Sequence, residues 1–261
     1  GGWRRIMDLS IIVPAYKEGK HIYQNLHVLK DSLDKLNRKY EIVVVSDGNK
    51  DNTYQEAQKL ASDKIKVYHY PKNMGKGYAL KYGVDRAEGE LVTFIDADLA
   101  LHTREIDIFM KLMDIYQADV VIGSKRHPQS KVNYPLFRRF QSVIYQMVIA
   151  LLFNLNVKDT QTGLKLFRRE VLQKILPRAL VKRYAFDLEL LVIAHRLGYT
   201  NIIEAPVEIK QQFSSTVNLR AAWKALWDTA AIFYRLRFLK YYDRADIHTE
   251  VADKEERVLE H

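Results

Sequence analysis

The stretch ELVTFIDADLA, residues 90–100, carries a run of strand formers into a pair of acids. LVTFI reads as a buried strand, so Asp96 and Asp98 fall at its carboxyl end. In an extended chain residues two apart point to the same side, and the two carboxylates converge. Like charges that close repel unless a proton, a basic group or a divalent cation lies between them. An isolated Asp-x-Asp is more often an acidic turn with a helix cap, so the flanking sequence has to decide.

Working outward, the first 125 residues alternate between two patterns. LSIIVPA (9–15), YEIVVVS (40–46), IKVYHY (65–70), ELVTFI (90–95) and ADVVIG (118–123) are β-branched and aromatic runs of strand length. Helix-like stretches lie between them near 19–37, 53–62, 76–87 and 104–116, and Thr53 with Glu56 suggests a capping box for the second. This alternation predicts an α/β fold with a mostly parallel sheet covered on both faces. Ligands of such sheets bind beyond the carboxyl ends of the strands. Four successive strand ends here carry Pro14-Ala15-Tyr16-Lys17-Glu18, Ser46-Asp47-Gly48-Asn49-Lys50-Asp51, Asn73-Met74-Gly75-Lys76-Gly77 and Asp96-Ala97-Asp98. Each alone could be a turn. Together they form a rim suited to a charged ligand.

The second half reads differently. Residues 135–156 suggest a long helix, 158–163 (KDTQTG) a loop, and LKLF a short strand followed by a helix. Residues 184–198 read as a helix ended by Gly198, and TNIIEAPVEIKQQ as a bent strand broken at Pro206. A last helix is expected over 219–242, before a charged tail. The expected division is a catalytic domain over 7–215, an amphipathic helix over 216–243, and a tail over 244–261 with tag-like terminal residues.

With 261 residues, nearly half of them apolar, the chain can bury a large core. The absence of cysteine rules out disulfides and thiolate metal sites and fits a reducing compartment. No apolar run reaches the 18 or so residues of a transmembrane helix, and the opening residues are not expected to be a signal peptide. A net charge of +9 calls for an anionic partner: nucleic acid, a membrane face or phosphorylated small molecules. The Walker A pattern is absent. The G-x-G-x-x-G dinucleotide pattern has only a partial echo at Gly75-Lys76-Gly77, after the wrong strand. What remains is a phosphate-bearing ligand held through a hard cation, for which strand-end aspartates are suitable donors.

SIIVPAYKE, SDGNKDNT, NMGKGYAL, DADLA and DTQTGLKLF, in this order, resemble the inverting nucleotide-sugar glycosyltransferases of the GT-A fold. More narrowly, they are similar to the polyprenol-phosphate sugar synthases, and DTQTGLKLF to the dolichol-phosphate glucosyltransferase branch. The similarity spans about residues 8–210. It implies transfer of a hexose from a nucleotide sugar, UDP-glucose in preference to GDP-mannose, to a polyprenyl phosphate. It also implies that Pro14, Ala15, Tyr16 and Glu18 line the nucleotide pocket, that Asp47 receives the base, and that the loop around Gly75 and Lys76 closes over the nucleoside. Asp96 would lie near the ribose and diphosphate, with Asp98 as direct ligand, and the pair would hold Mg²⁺ or Mn²⁺. Asp159 and Gln161 would serve the acceptor side. Two departures stand out: Ser46 and Asn49 replace residues of the usual Asp-Asp-Gly-Ser loop, and KQQFSSTVNLR replaces the usual diphosphate-binding segment, leaving Lys210 and Ser214 as candidates.

A hydroxyl acceptor needs a general base, for which Asp187 is the candidate; a lipid phosphate is already an anion and needs cations to hold it in line. Lys125 and Arg126 after the fifth strand and Arg138 on the long helix are candidates for that task. In the last helix Trp223, Trp227, Phe233, Tyr234 and Phe238 mix with Arg220, Lys224, Arg235, Arg237 and Lys240, which suits an anionic membrane surface. The expectation is thus a cytoplasmic protein held on the cytoplasmic face of a membrane, with a homodimer contact as the other use of its long helices. Two other functions remain open: a transferase acting on a sugar hydroxyl, and a basic nucleic-acid-binding module. The latter is not expected, because the aromatic and basic residues fall on a helix with a wide apolar face.

Overall fold

The structure is a computed structural model; it describes residues 7–97, 103–124, 127–132, 136–155, 157, 164–180, 185–209 and 219–244. Strands β1 (Leu9–Ala15), β2 (Tyr40–Asp47), β3 (Ile65–Tyr70) and β4 (Leu91–Phe94) alternate with helices α1 (Ile22–Leu33), α2 (Thr53–Gln58) and α3 (Lys76–Arg86). Then follow α4 (Thr103–Tyr116), β5 (Val120–Ser124), β6 (Lys131–Val132), α5 (Leu136–Phe153), β7 (Lys165–Arg168) and α6 (Arg169–Ile175). Helix α7 (Phe186–Arg196), strands β8 (Ile202–Pro206) and β9 (Glu208–Ile209) and helix α8 (Leu219–Arg237) complete the chain.

Seven strands form one sheet in the order β3-β2-β1-β4-β7-β5-β8. All its pairs are parallel except those of β7, which runs antiparallel to both β4 and β5. The alternating side chains of each strand feed two cores. Ile12, Val43, Val45, Val92, Val120 and Phe167 face α3, α6, α7 and the ends of α5 and α8. Ile11, Val13, Ile42, Val44, Val121 and Leu166 face α1 and α4. Each fully buried Val or Ile contributes about 1.5–3 kcal/mol, which is why the central strands are runs of β-branched residues on both faces. Helix α7 is buried nearly all round, from Phe186 through Ala194, and accordingly shows little polar periodicity.

Several expectations are adjusted. The strand broken at Pro206 is two strands in two sheets: β8 edges the main sheet, where a proline's missing N–H costs least, and β9 pairs with β6. The last helix stops at Arg237, short of residue 242. Lys240 takes a left-handed conformation (φ 48°), and the chain turns back so that Tyr242 is fully buried. The capping box at α2 is absent: Thr53 is the first helical residue, and its hydroxyl instead donates to Asp51 Oδ1 (2.5 Å) and accepts from the Glu18 amide (2.9 Å). Asp51 also takes the Thr53 and Gly19 amides, and so does the work expected of a cap.

The amino edge of the sheet is closed by a buried acid. Glu41, on β2, accepts Ser10 Oγ and the Glu88 amide, each at 2.6 Å, and pairs with Lys66 at 2.9 Å. At the carboxyl edge Asp96 and Asp187 are instead only partly enclosed by the described residues.

Candidate active site

Four strand-to-helix turns meet at that carboxyl edge. The turn after β1 leaves Tyr16 exposed and puts Lys17 at φ 57°, with its ammonium 5.3 Å from the Tyr16 ring centroid. It is bound to the next turn through Asp51 and Thr53, so Pro14 and Ala15 end β1 and Tyr16 and Glu18 sit on the braced turn that follows.

Asp47 ends β2 and is 4% exposed. Its Oδ1 accepts the Met74 amide (2.7 Å), and its Oδ2 accepts the Gly75 amide (2.9 Å) and Asn73 Nδ2 (3.1 Å). The acid at the position the resemblance assigns to base recognition is thus committed to folding the loop that leads into α3. Gly48 allows the close approach: its φ is +88°, and a Cβ there would lie 2.8 Å from the Asn73 nitrogen. Burial and the nearby Asp47 charge push the Tyr70 phenol well above its ordinary range, so the acid stands beside a neutral hydroxyl.

Lys76 opens α3 and reaches across to Asp96, with Nζ 2.6 Å from Oδ1 and both side chains well exposed. The turn that carries Asp96 is fixed on either side: the Ile95 amide donates to Ile12 O, and Asn25 of α1 donates to Ala97 O at 2.8 Å. Asp98 lies outside the described residues. Among the described residues no group of three or more His, Cys, Asp or Glu could hold a metal ion; Asp96 supplies one exposed carboxylate, the kind of oxygen donor a hard divalent cation takes.

Asp187, in the first turn of α7, belongs to the same edge. The Phe186 ring lies 6.2 Å from Phe94, the last residue of β4, and a Cβ on Gly77 in the first turn of α3 would lie 4.0 Å from it. Asp187 pairs with Lys165 at 3.2 Å; the lysine side chain is wholly buried and the aspartate 29% exposed. Glu189 points elsewhere. Fully buried, it accepts Tyr242 Oη (2.5 Å), Arg235 (3.0 Å) and the Leu180 amide (2.8 Å), and so clasps the C-terminal segment to α7.

Arg138 lies on α5 with its side chain outside the described residues, as do Lys125, Arg126, Asp159, Gln161, Lys210 and Ser214 altogether. Two site features escaped the sequence reading. Asn25 is a partly buried helix residue and carries no motif. Lys165 had one available signal, a lysine in the short apolar strand LKLF.

The glycosyl transferase family 2 profile matches residues 10–176. A dolichyl-phosphate beta-glucosyltransferase of Trichomonas vaginalis (ALG5C) is 34% identical over 94% of this chain and 77% of its own length. The Homo sapiens dolichyl-phosphate beta-glucosyltransferase is 31% identical over 89% and 76%. Among solved structures, the fold is similar to glucosyl-3-phosphoglycerate synthase from Mycobacterium tuberculosis, crystallised with Mn²⁺, UDP and glucosyl-3-phosphoglycerate. That match has a TM-score of 0.60 and 19% identity, over 87% of this chain and 80% of that one. Mannosyl-3-phosphoglycerate synthase from Rubrobacter xylanophilus gives a TM-score of 0.62 at 15% identity, over 92% and 77%. The mostly parallel seven-stranded sheet with helices on its faces is a GT-A-like fold.

Proposed function

The chain belongs to glycosyl transferase family 2, a family of glycosyltransferases, and from that premise we propose that it transfers glucose from UDP-glucose to a dolichyl-type polyprenyl phosphate. The observation that carries this reading is the braced, acid-bearing carboxyl edge of the sheet, in a chain 34% identical over nearly its whole length to a relative named a dolichyl-phosphate beta-glucosyltransferase. A lipid phosphate oxygen attacks the anomeric carbon as the bond to UDP breaks, and the departing diphosphate takes the electron pair. The configuration inverts, and no proton has to be removed from the acceptor. Asp96, with Asp98 two residues on, would hold Mg²⁺ or Mn²⁺; such a cation neutralises charge on the leaving diphosphate. Solved complexes of the mycobacterial neighbour with UDP and either metal support that choice. The Gly75–Lys76 loop, shaped by Asp47, would cover the nucleoside, with Tyr16 and Glu18 across from it.

A lipid acceptor has to be reached from a membrane, and no helix among the described residues is long and apolar enough to cross one. Helix α8 offers a surface contact instead. Its inner side packs Thr229, Ile232, Phe233 and Leu236 against the body; its outer side leaves Trp223 68% exposed, Trp227 72% exposed, and Tyr234 and Phe238 exposed as well. Phe233 and Arg235, counted with the outer cluster on sequence, face inward: Phe233 lies 6.1 Å from Phe153, and Arg235 is on Glu189. A helix that packs on one side has no need of aromatics on the other. Exposed Lys224, Arg237 and Lys240 beside them favour an anionic bilayer as the partner.

Incubation with labelled UDP-glucose or GDP-mannose, Mg²⁺ and vesicles bearing dolichyl phosphate tests the reading. Lipid-extractable glucose from the first donor is expected. Transfer only to soluble sugar hydroxyls, or only from GDP-mannose, would overturn the assignment.

A further inference from the structure

Lys165 is the group that this reaction leaves unexplained. Its side chain is among the largest fully buried ones in the protein, yet it ends in an ammonium, a group rarely buried unless paired. It sits at the first position of β7, in register with Ile122 of β5, and its carbonyl accepts Thr93 Oγ1 at 2.7 Å. That backbone anchor fixes its root at the carboxyl edge. On the same face of β7 as Lys165 is Phe167, whose ring stacks 6.0 Å from Phe94, which in turn lies 6.2 Å from Phe186 beside Asp187.

Stability alone is a poor reason for this arrangement. Burying an ion pair costs about as much as its attraction returns, and apolar residues of similar volume usually serve at least as well. Nor does Asp187 need a lysine to be tolerated where it is, because an acid in the first turn of a helix is already favoured by the dipole. What the pair supplies is orientation and charge balance. Asp187 has the wholly buried ammonium at 3.2 Å on one side and solvent on the other, so its carboxylate is held at the edge with few alternative rotamers. The lysine also offsets the charge of an acid that would otherwise repel phosphorylated substrates.

We propose that Lys165 is a positioning residue of the transfer site, holding the Asp187 carboxylate, neutralised, where it orients the reacting sugar or acceptor. This rests on the transfer site described above and adds to it a residue that makes no contact with substrate itself.

Three variants of the full chain test it: Lys165→Met, Asp187→Asn and the double variant, which removes both charges at nearly constant volume. Thermal midpoint, calorimetric UDP affinity with Mg²⁺, and kcat and KM for UDP-glucose are measured, with cleavage by water and transfer to dolichyl phosphate scored separately. The thermal midpoint should fall with Lys165→Met and return towards wild type in the double variant. UDP affinity should stay unchanged, and kcat should be lowered by about 100-fold in all three, the usual consequence of a small misplacement in a reacting site. Should Lys165→Met not fold, the double variant carries the comparison. Recovery of turnover together with stability in the double variant would make the pair a scaffold and overturn the proposal, as would wild-type turnover in either single variant. If wild type cleaves the donor without lipid transfer, the acceptor assignment fails while the comparison stands on hydrolysis.

Discussion

The sheet has acids at both ends, and they are treated in opposite ways. At the amino edge Glu41 is wholly buried and meets a hydroxyl, an amide and an ammonium. At the carboxyl edge Asp96 has an exposed lysine, and Asp187 has a buried one with solvent on its other side. The chemistry of the side chains is nearly the same; the number of donors and the access to water differ. An acid saturated by protein donors builds the fold, whereas one left partly open keeps capacity for a ligand. Asp47 lies between the two classes, at the carboxyl edge but with three donors of its own.

The comparison breaks first at Glu41. Replacing it with alanine leaves Lys66 with Glu88 as its remaining partner among the described residues and takes the acceptor from the Ser10 hydroxyl and the Glu88 amide, so a loss of about 2–4 kcal/mol is expected, about 1–3 for each donor left unsatisfied. Urea unfolding measures it, and UDP affinity of the folded fraction should be unchanged. If the midpoint does not move, saturation by donors is no guide to structural role. Asp96→Ala should do the reverse. Removing an exposed pair costs little stability, but loss of the carboxylate proposed to serve the donor diphosphate should lower kcat/KM by about 10²–10³-fold, the scale of other electrostatic deletions in active sites. A variant as active as wild type would detach the carboxyl edge from the chemistry.

The sequence reading reached the first half of the molecule well, because there the signals are local. Strand runs, turn glycines and the 90–100 acid pair each act within a few residues of themselves, and β1 to β5 with their helices follow. The insertion of β7 between β4 and β5 was out of reach. A four-residue strand carries too little periodicity to show its direction, and its partners are far along the chain. The same holds for the site. Acids and glycines at strand ends were visible as residue types. That Asp47 spends its oxygens on the 73–75 loop, or that a lysine would be buried beneath Asp187, depends on contacts between distant segments. Glu189 makes the point again: it stands two residues from Asp187 in sequence, and only the return of Tyr242 and Arg235 makes it a clasp.

A second pair of surfaces, the two sides of α8, sharpens the comparison at smaller cost. Trp227→Ser touches only the outer side and should leave the unfolding free energy within about 0.5 kcal/mol of wild type. Flotation with vesicles rich in anionic phospholipid should show binding weakened by roughly tenfold or more, since a tryptophan buried in the interface is worth about 2 kcal/mol. Loss of self-association instead of vesicle binding would assign the face to a second copy of the chain.

The smallest effect expected is a pH dependence at Asp51, which braces the first two turns. Partial burial pushes its carboxyl up, but the Thr53 hydroxyl, the Gly19 and Thr53 amides and the nearby Lys17 outweigh that and hold it below the usual range. A carboxyl depressed in the folded state takes up its proton more readily in the unfolded chain. Its contribution is therefore complete above the unfolded value of about 3.9 and is lost as the pH falls through the lower folded value. Because the side chain is largely exposed, solvent screening keeps the contribution small. Asp51→Asn should flatten the decline of stability below about pH 4 and leave the neutral limb only slightly lowered, since asparagine can still accept one of the amides. Measured as urea midpoints from neutral to acid pH, an unchanged acid limb would mean that Asp51 titrates alike in both states. The bracing of the two turns would then rest on the Glu18 amide and the Thr53 hydroxyl without the charge.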